Sequence, residues 1–298
     1  MKNKKIILHC GSPKTGSTSL QYYLYDEGLL LRKLDVLVVK RLVQKNSTDP
    51  IFKHLLDSRK PNAPKSATTE ARSRIETLFE SEDISTLLIS YESILGEPFE
   101  YGNPAFFPKA RQAVRALKDI FDGYDIQIHY VTRDYTSFIG SYYVQHIRRG
   151  GDCSLKDFVR AIDPDSLSWI RIVNLLRNTF GAENVHVHEY RDFLSNPGRI
   201  TAAILGGLIP EDRVSGKIGG YRKNRSVGGF PLYLTRISNR ILVKGLSLPP
   251  QTAGRITRQR VLKPLSRFIP GDKPRIETAM SEFLAKRYHE DMQILSGQ

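Results

Sequence analysis

From Gly11 to Ser19 the chain reads Gly-Ser-Pro-Lys-Thr-Gly-Ser-Thr-Ser. These residue types suit one task, holding an anion. Gly16 can take backbone angles closed to residues with a Cβ. Lys14 brings a full positive charge, and Ser17, Thr18 and Ser19 bring hydroxyl donors. A second set lies at Arg133 and Ser141, eight positions apart. Arginine offers a planar fork to phosphate, and serine a small donor beside it. A carboxylate, Glu92, follows the apolar run Thr86–Tyr91, and His146 lies beyond Ser141.

Both sets need elements that aim them. Apolar runs of strand length occur at Lys5–Cys10, Asp35–Val39, Thr86–Tyr91, Ile126–Thr132 and Val185–Glu189. Helix-period patterns lie between them, among them Ser17–Leu31, Pro108–Phe121, Tyr135–Arg149, Leu155–Ile162 and Ser166–Phe180. Ser154 with Asp157 has the form of a capping box. This alternation predicts an α/β fold, a single domain over residues 1–298 with a central parallel sheet flanked by helices, of P-loop NTPase-like architecture. Ligands of such sheets bind beyond the carboxyl ends of the strands. Gly11–Thr18, Glu92 and Arg133 all stand just after predicted strands. Residues 40–83, with a proline-rich break at Pro61–Pro64, and residues 245–274 fit the alternation poorly and are expected to be lid or acceptor-binding insertions.

The nucleoside-triphosphate loop G-x-x-x-x-G-K-[ST] shares the spacing of Gly11 and Gly16, but Ser17 stands where that loop has lysine. Serine cannot reach and neutralise β- and γ-phosphates, so the cradle suits a ligand other than ATP. The string Pro13-Lys14-Thr15-Gly16-Ser17-Thr18 resembles the 5′-phosphosulfate loop of the sulfotransferases that use 3′-phosphoadenosine 5′-phosphosulfate (PAPS), and bacterial members in particular. Arg133, Asp134, Ser141 and Tyr143 resemble that family's 3′-phosphate motif, with Tyr135 in place of its usual proline. Weaker likenesses run through Tyr190–Pro197 and through Tyr221-Arg222-Lys223-Asn224-Arg225-Ser226. The resemblance implies PAPS as co-substrate, with no metal required. It implies contacts from Lys14, Thr15, Gly16, Ser17, Thr18 and Ser19 to the 5′ end, and from Arg133 and Ser141 to the 3′-phosphate. Tyr221 is expected to stack on adenine, with Arg222 and Lys223 near the 3′-phosphate.

Sulfuryl transfer to a hydroxyl calls for a general base. Glu92 is the first candidate by its place at a strand end, and His146 the second. His9 and His188 lie within or at the end of strands, where histidines are usually packed.

Composition bounds the rest. The chain has 298 residues and a formal charge of +14. Fourteen Lys and Arg against one acid, Asp272, fall between Lys217 and Arg275, so nearly all of the excess lies there. Such a stretch predicts an anionic partner: a hydroxyl-bearing acceptor such as an anionic or lipid-linked glycan, implying carbohydrate sulfation, or peripheral contact with an anionic membrane surface. No nucleic-acid motif accompanies the charge. Two cysteines, Cys10 and Cys153, make no disulfide framework. No apolar run spans a membrane or serves as a signal-peptide core. The expected location is cytoplasmic, at most peripheral to the inner face of a membrane. Rival readings are a nucleotide-dependent kinase of P-loop type, and a non-catalytic module that binds a nucleotide or an anionic glycan.

Overall fold

The computed structural model describes residues 4–39, 48–60, 62–100, 102–221, 228–269, 272 and 274–297. The chain divides into two compact units. The first comprises Met1–Arg133, Leu167–Arg222 and Ile294–Gln298, and the second Asp134–Ser166 and Lys223–Gln293.

The first unit is α/β. Its strands are β1 (Lys5–Gly11), β2 (Val36–Val39), β3 (Thr86–Ser90), β4 (Asp125–Thr132) and β5 (Val185–Glu189). They form one sheet in the order β2-β3-β1-β4-β5, parallel throughout. Each strand therefore lies within a residue or two of its apolar run. The run marks a strand because a parallel sheet, covered on both faces, needs apolar side chains in both directions. β1 shows this: Ile6, Leu8 and Cys10 point one way, Ile7 and His9 the other, and all are buried.

On the Ile7 face the helix Ser17–Asp26 lays down Leu20, Tyr23 and Leu24, all essentially fully buried. Their helical spacing makes one apolar stripe. They meet Ile7, Leu88 and Val38 together with Ile200, Ile204, Val214 and Ile218 from later helices. Helices Ala110–Phe121 and Trp169–Phe180 pack on one another, and the second also packs on β4 and β5.

The pattern Ser17–Leu31 predicts one helix, but there are two, Ser17–Asp26 and Gly28–Lys33, broken at Glu27. Glu27 is buried and accepts from Lys217, with Arg213 at 3.9 Å. A carboxylate so placed is held by partners some 190 positions away, which no local pattern reveals. Residues 40–83 hold Ile51–Ser58 and the longer Lys65–Glu82 among the described residues.

The second unit is helical. It contains Tyr135–Arg148, Leu155–Arg160, Gly229–Arg240, Pro250–Thr257, Lys263–Phe268 and most of Thr278–Ser296. Two π-helical turns, Ile241–Gly245 and Arg258–Leu262, extend the third and join the fourth to the fifth. Pro264 directly follows the π turn Arg258–Leu262, in a helix that runs on from Pro250. Ser154 caps Leu155–Arg160 as its sequence predicts, accepting from the Asp157 N–H at 3.1 Å.

One buried polar knot organises this unit. Asn239 is fully buried, and its Nδ2 donates to the carbonyls of Ile147 (2.7 Å) and Gly151 (2.8 Å). Its Oδ1 accepts from Thr257 Oγ1 at 2.6 Å. One side chain thereby ties three helices together and leaves no amide group unpaired. Tyr135, standing where the sulfotransferase motif has proline, is fully buried and donates its hydroxyl to Asp291 of the last helix. Among the described residues no helix is long and apolar enough to cross a membrane.

Candidate functional site

β1 delivers the chain into residues 12–16, and the helix from Ser17 takes it away. Ser12 is tied down by its N–H to the Val131 carbonyl (3.1 Å), and Thr15 Oγ1 donates back to the Ser12 carbonyl (2.7 Å). Lys14 lies at φ +74°, a left-handed conformation uncommon for a residue with a Cβ, and Gly16 at φ +83°. Gly16 begins the helix with no side-chain cap. The first turn of the helix and the positive end of its dipole thus meet the loop without a side-chain cap, an arrangement that suits an anion.

Gly16 is required twice over. Beyond its φ, a Cβ there would stand 2.6 Å from Phe193 Cε1. Phe193 is buried and, with Tyr190, belongs to the short helix Tyr190–Ser195. That helix is the floor of the loop. The segment Tyr190–Pro197 thus bears on the loop through Phe193.

Arg133, at the end of β4, reaches the same place. It is buried, and its Nη1 donates to the Lys14 carbonyl. Its guanidinium lies 4.7 Å from the centre of the Tyr190 ring, a cation–π contact. Its own carbonyl accepts from Trp169 Nε1 at 2.9 Å. The residue predicted to meet the 3′-phosphate therefore also braces the strained peptide at Lys14.

Glu92 follows β3 half-buried. Gln21, on the helix that leaves the loop, donates from Nε2 to Glu92 Oε2 (3.2 Å) and to the Ser90 carbonyl (3.2 Å). The first-choice base is thus held against the helix that the cradle opens. Gln21 was not legible as a site residue; one turn beyond Ser17, it is an ordinary polar position until β3 is known to lie beside it.

The strand histidines are packed. His9 Nδ1 and Ser90 Oγ share a hydrogen bond at 2.9 Å, and His129 Nδ1 and His188 Nε2 share another at 3.0 Å. Register places Ser90, His9, His129 and His186 side by side across β3, β1, β4 and β5. Burial, then the neighbouring histidine His188, lowers His9 to about 3. The same causes, in the same order, lower His129 to about 2. Burial lowers His188 to about 4, with His186 adding to it. All three are neutral imidazoles at pH 7.

In the second unit, Asp134 caps Tyr135–Arg148, accepting from the Ser137 N–H at 2.8 Å. Ser141 is half-buried on that helix. Tyr143 is buried and donates to the Cys153 carbonyl at 3.2 Å. His146, the second candidate base, has its Nε2 3.3 Å from Cys153 Sγ and its ring against Phe158. Burial lowers its pKa. Tyr221 ends a short 3-10 turn, Gly219–Tyr221; its side chain, and Arg222 and Lys223 entirely, lie outside the described residues.

No protein-family model matches the chain, and no curated protein matches its sequence. Several solved structures are similar, these two among them. One is a sulfotransferase from Alicyclobacillus acidocaldarius, at 15% identity over 86% of this chain and 99% of that one, with a TM-score of 0.44. The other is a retinol dehydratase in complex with androsterone and inactive cofactor PAP, at 12% identity over 91% of this chain and 82% of that one, with a TM-score of 0.36.

Proposed function

We propose that the chain is a sulfotransferase that moves a sulfuryl group from PAPS to a hydroxyl of a glycan or glycolipid acceptor. One observation carries most of the weight: Lys14 is held in a left-handed conformation, with its carbonyl tied to Arg133, in a loop that opens an uncapped helix. Strain of this kind costs about 1–3 kcal/mol and persists where function requires the geometry. The residues present fit the donor. Loop N–H groups and the helix end suit its 5′-phosphate, and the missing Cβ at Gly16 lets Phe193 pack close beneath the loop. Lys14 supplies a cation for the charge gained by the departing phosphate oxygen. Glu92, positioned by Gln21, takes the hydroxyl proton as the acceptor oxygen bonds to sulfur. The product nucleotide is 3′,5′-bisphosphoadenosine. Ser17, buried in the position of the P-loop lysine, argues against a kinase.

A thermal-shift titration tests this reading. 3′,5′-bisphosphoadenosine should raise the melting temperature, ATP with Mg²⁺ should not, and Arg133→Ala should abolish the response. Equal stabilisation by ATP with Mg²⁺ would sink it. Transfer of a radiolabelled sulfuryl group separates an enzyme from a binding module. Lys14→Ala should lower that rate by about 10²–10³, and Ser141→Ala should weaken the nucleotide response.

A further inference from the structure

Part of the basic last third, together with Arg148 and Arg149, makes a cleft within the second unit. Its volume is about 500 Å³, and its lining includes Arg148, Arg149, Arg255, Arg258 and Lys263 with no acidic residue. The two uncharged members are Gln251 and Gln259, amide donors beside the cations. Among the described residues no carboxylate pairs with Arg148, Arg255, Arg258 or Lys263. Other cations of the same unit are paired, as Lys244 is with Asp152 at 2.9 Å.

Backbone packing holds these charges together. A Cβ at Gly254 would stand 2.5 Å from the Arg149 carbonyl carbon and from the Gly150 nitrogen. One at Gly150 would stand 1.9 Å from the Pro250 carbonyl oxygen. Helix Pro250–Thr257 therefore lies directly on the C-terminal end of Tyr135–Arg148, and Asn239 and Thr257 fasten the contact from inside. Arg148 is half-buried; burial and then Arg258 lower its pKa. Cations gathered this way repel one another, a cost that a bound anion offsets.

We infer that this cleft is a binding site for a clustered oxyanion ligand, one that presents adjacent phosphate or sulfate ester groups to Arg148, Arg255, Arg258 and Lys263. Arginine forks and glutamine amides suit tetrahedral oxyanions, and the volume admits two or three such groups. The inference stands on the second unit alone and is independent of the donor reading.

The test uses the full chain carrying Lys14→Ala and Arg133→Ala, so that the loop cradle cannot contribute. Tripolyphosphate is titrated by calorimetry at low and at physiological salt. Saturable binding that weakens with salt is expected. Arg255→Gln with Arg258→Gln should weaken it by at least about tenfold, while Arg115→Gln, an exposed arginine of the first unit, should leave it unchanged. Circular dichroism melts confirm that the cleft variant is folded. Phosphatidylglycerol vesicles form a second arm. Vesicle binding that tripolyphosphate competes away places the same ester chemistry on a lipid headgroup. The inference is overturned if tripolyphosphate does not bind, if the cleft variant binds it as well as the parent, or if vesicles bind and tripolyphosphate does not compete.

Discussion

Lowering the pH from 7 to 5 should cost the first unit much of its stability, and the histidine row sets the amount. His9, His129 and His188 titrate near 3, 2 and 4 in the folded chain, against about 6.5 unfolded. Between those limits the unfolded state binds more protons, so stability is full above pH ~6.5 and is lost as pH falls toward 4. At pH 5 each imidazole is still neutral when folded and almost wholly protonated when unfolded, which costs about 2 kcal/mol apiece. No proton has yet entered the row at that pH, so the three add, to about 6 kcal/mol. That is comparable with the total stability of a domain, about 5–15 kcal/mol. The paired acids Asp57, Glu76 and Asp157 are lowered, each chiefly by a side-chain hydrogen bond. They act only below about pH 4.5, outside this window, and His146 adds in the same direction as the row. The assay is urea unfolding at pH 7, 6 and 5. His129 Nε2 is buried with no partner, so His129→Phe should fold at pH 7 and lose about a third of the pH slope. A midpoint that stays level from pH 7 to 5, or a slope unchanged in His129→Phe, would refute the reasoning.

Three other outcomes follow from geometry already described. Gly16→Ala should abolish 3′,5′-bisphosphoadenosine stabilisation and destabilise the fold by about 1–3 kcal/mol; Phe193→Ala in the same chain should recover part of the stability, measured by urea midpoint. Asn239→Leu should cost about 1–3 kcal/mol by removing the donor to the Gly151 carbonyl, the Ile147 carbonyl keeping the Gly150 N–H, and a cost under about 0.5 kcal/mol in equilibrium unfolding would remove the knot from the account. Gln21→Leu should lower the sulfuryl transfer rate toward that of Glu92→Gln while leaving nucleotide affinity intact; an unchanged rate would mean that Gln21 does not position the base.

The elements were legible where local physics decides them. Val185–Glu189 is read from the sequence to the residue, because its alternating valines follow the turn Ala182–Asn184 and stop where a helix begins. The loop was legible too, since Gly16, Lys14 and the hydroxyls are contiguous. What stayed hidden depends on distant partners. Glu27 breaks a helix because of Lys217 and Arg213. Phe193 demands glycine at position 16 from 177 positions away by sequence number. The row of Ser90, His9, His129 and His186 exists only once strand order and register are known, and the sequence shows four unrelated strand residues. His146 reads as a candidate base from its place after Ser141, and the fold packs it against Cys153 and Phe158.

The π turn at Arg258–Leu262 has a consequence in helical phase. Eight residues of plain α-helix would turn Lys263 about 80° away from Arg255. A π turn accommodates one extra residue, so the same eight positions amount to seven, and the offset shrinks to about 20°. Gln251, Arg255, Gln259 and Lys263 therefore come to one side of a single rod, all facing the cleft. Relaxing the turn to plain α geometry, with every residue and charge kept, would swing Lys263 to about 80° from Arg255 and out of line.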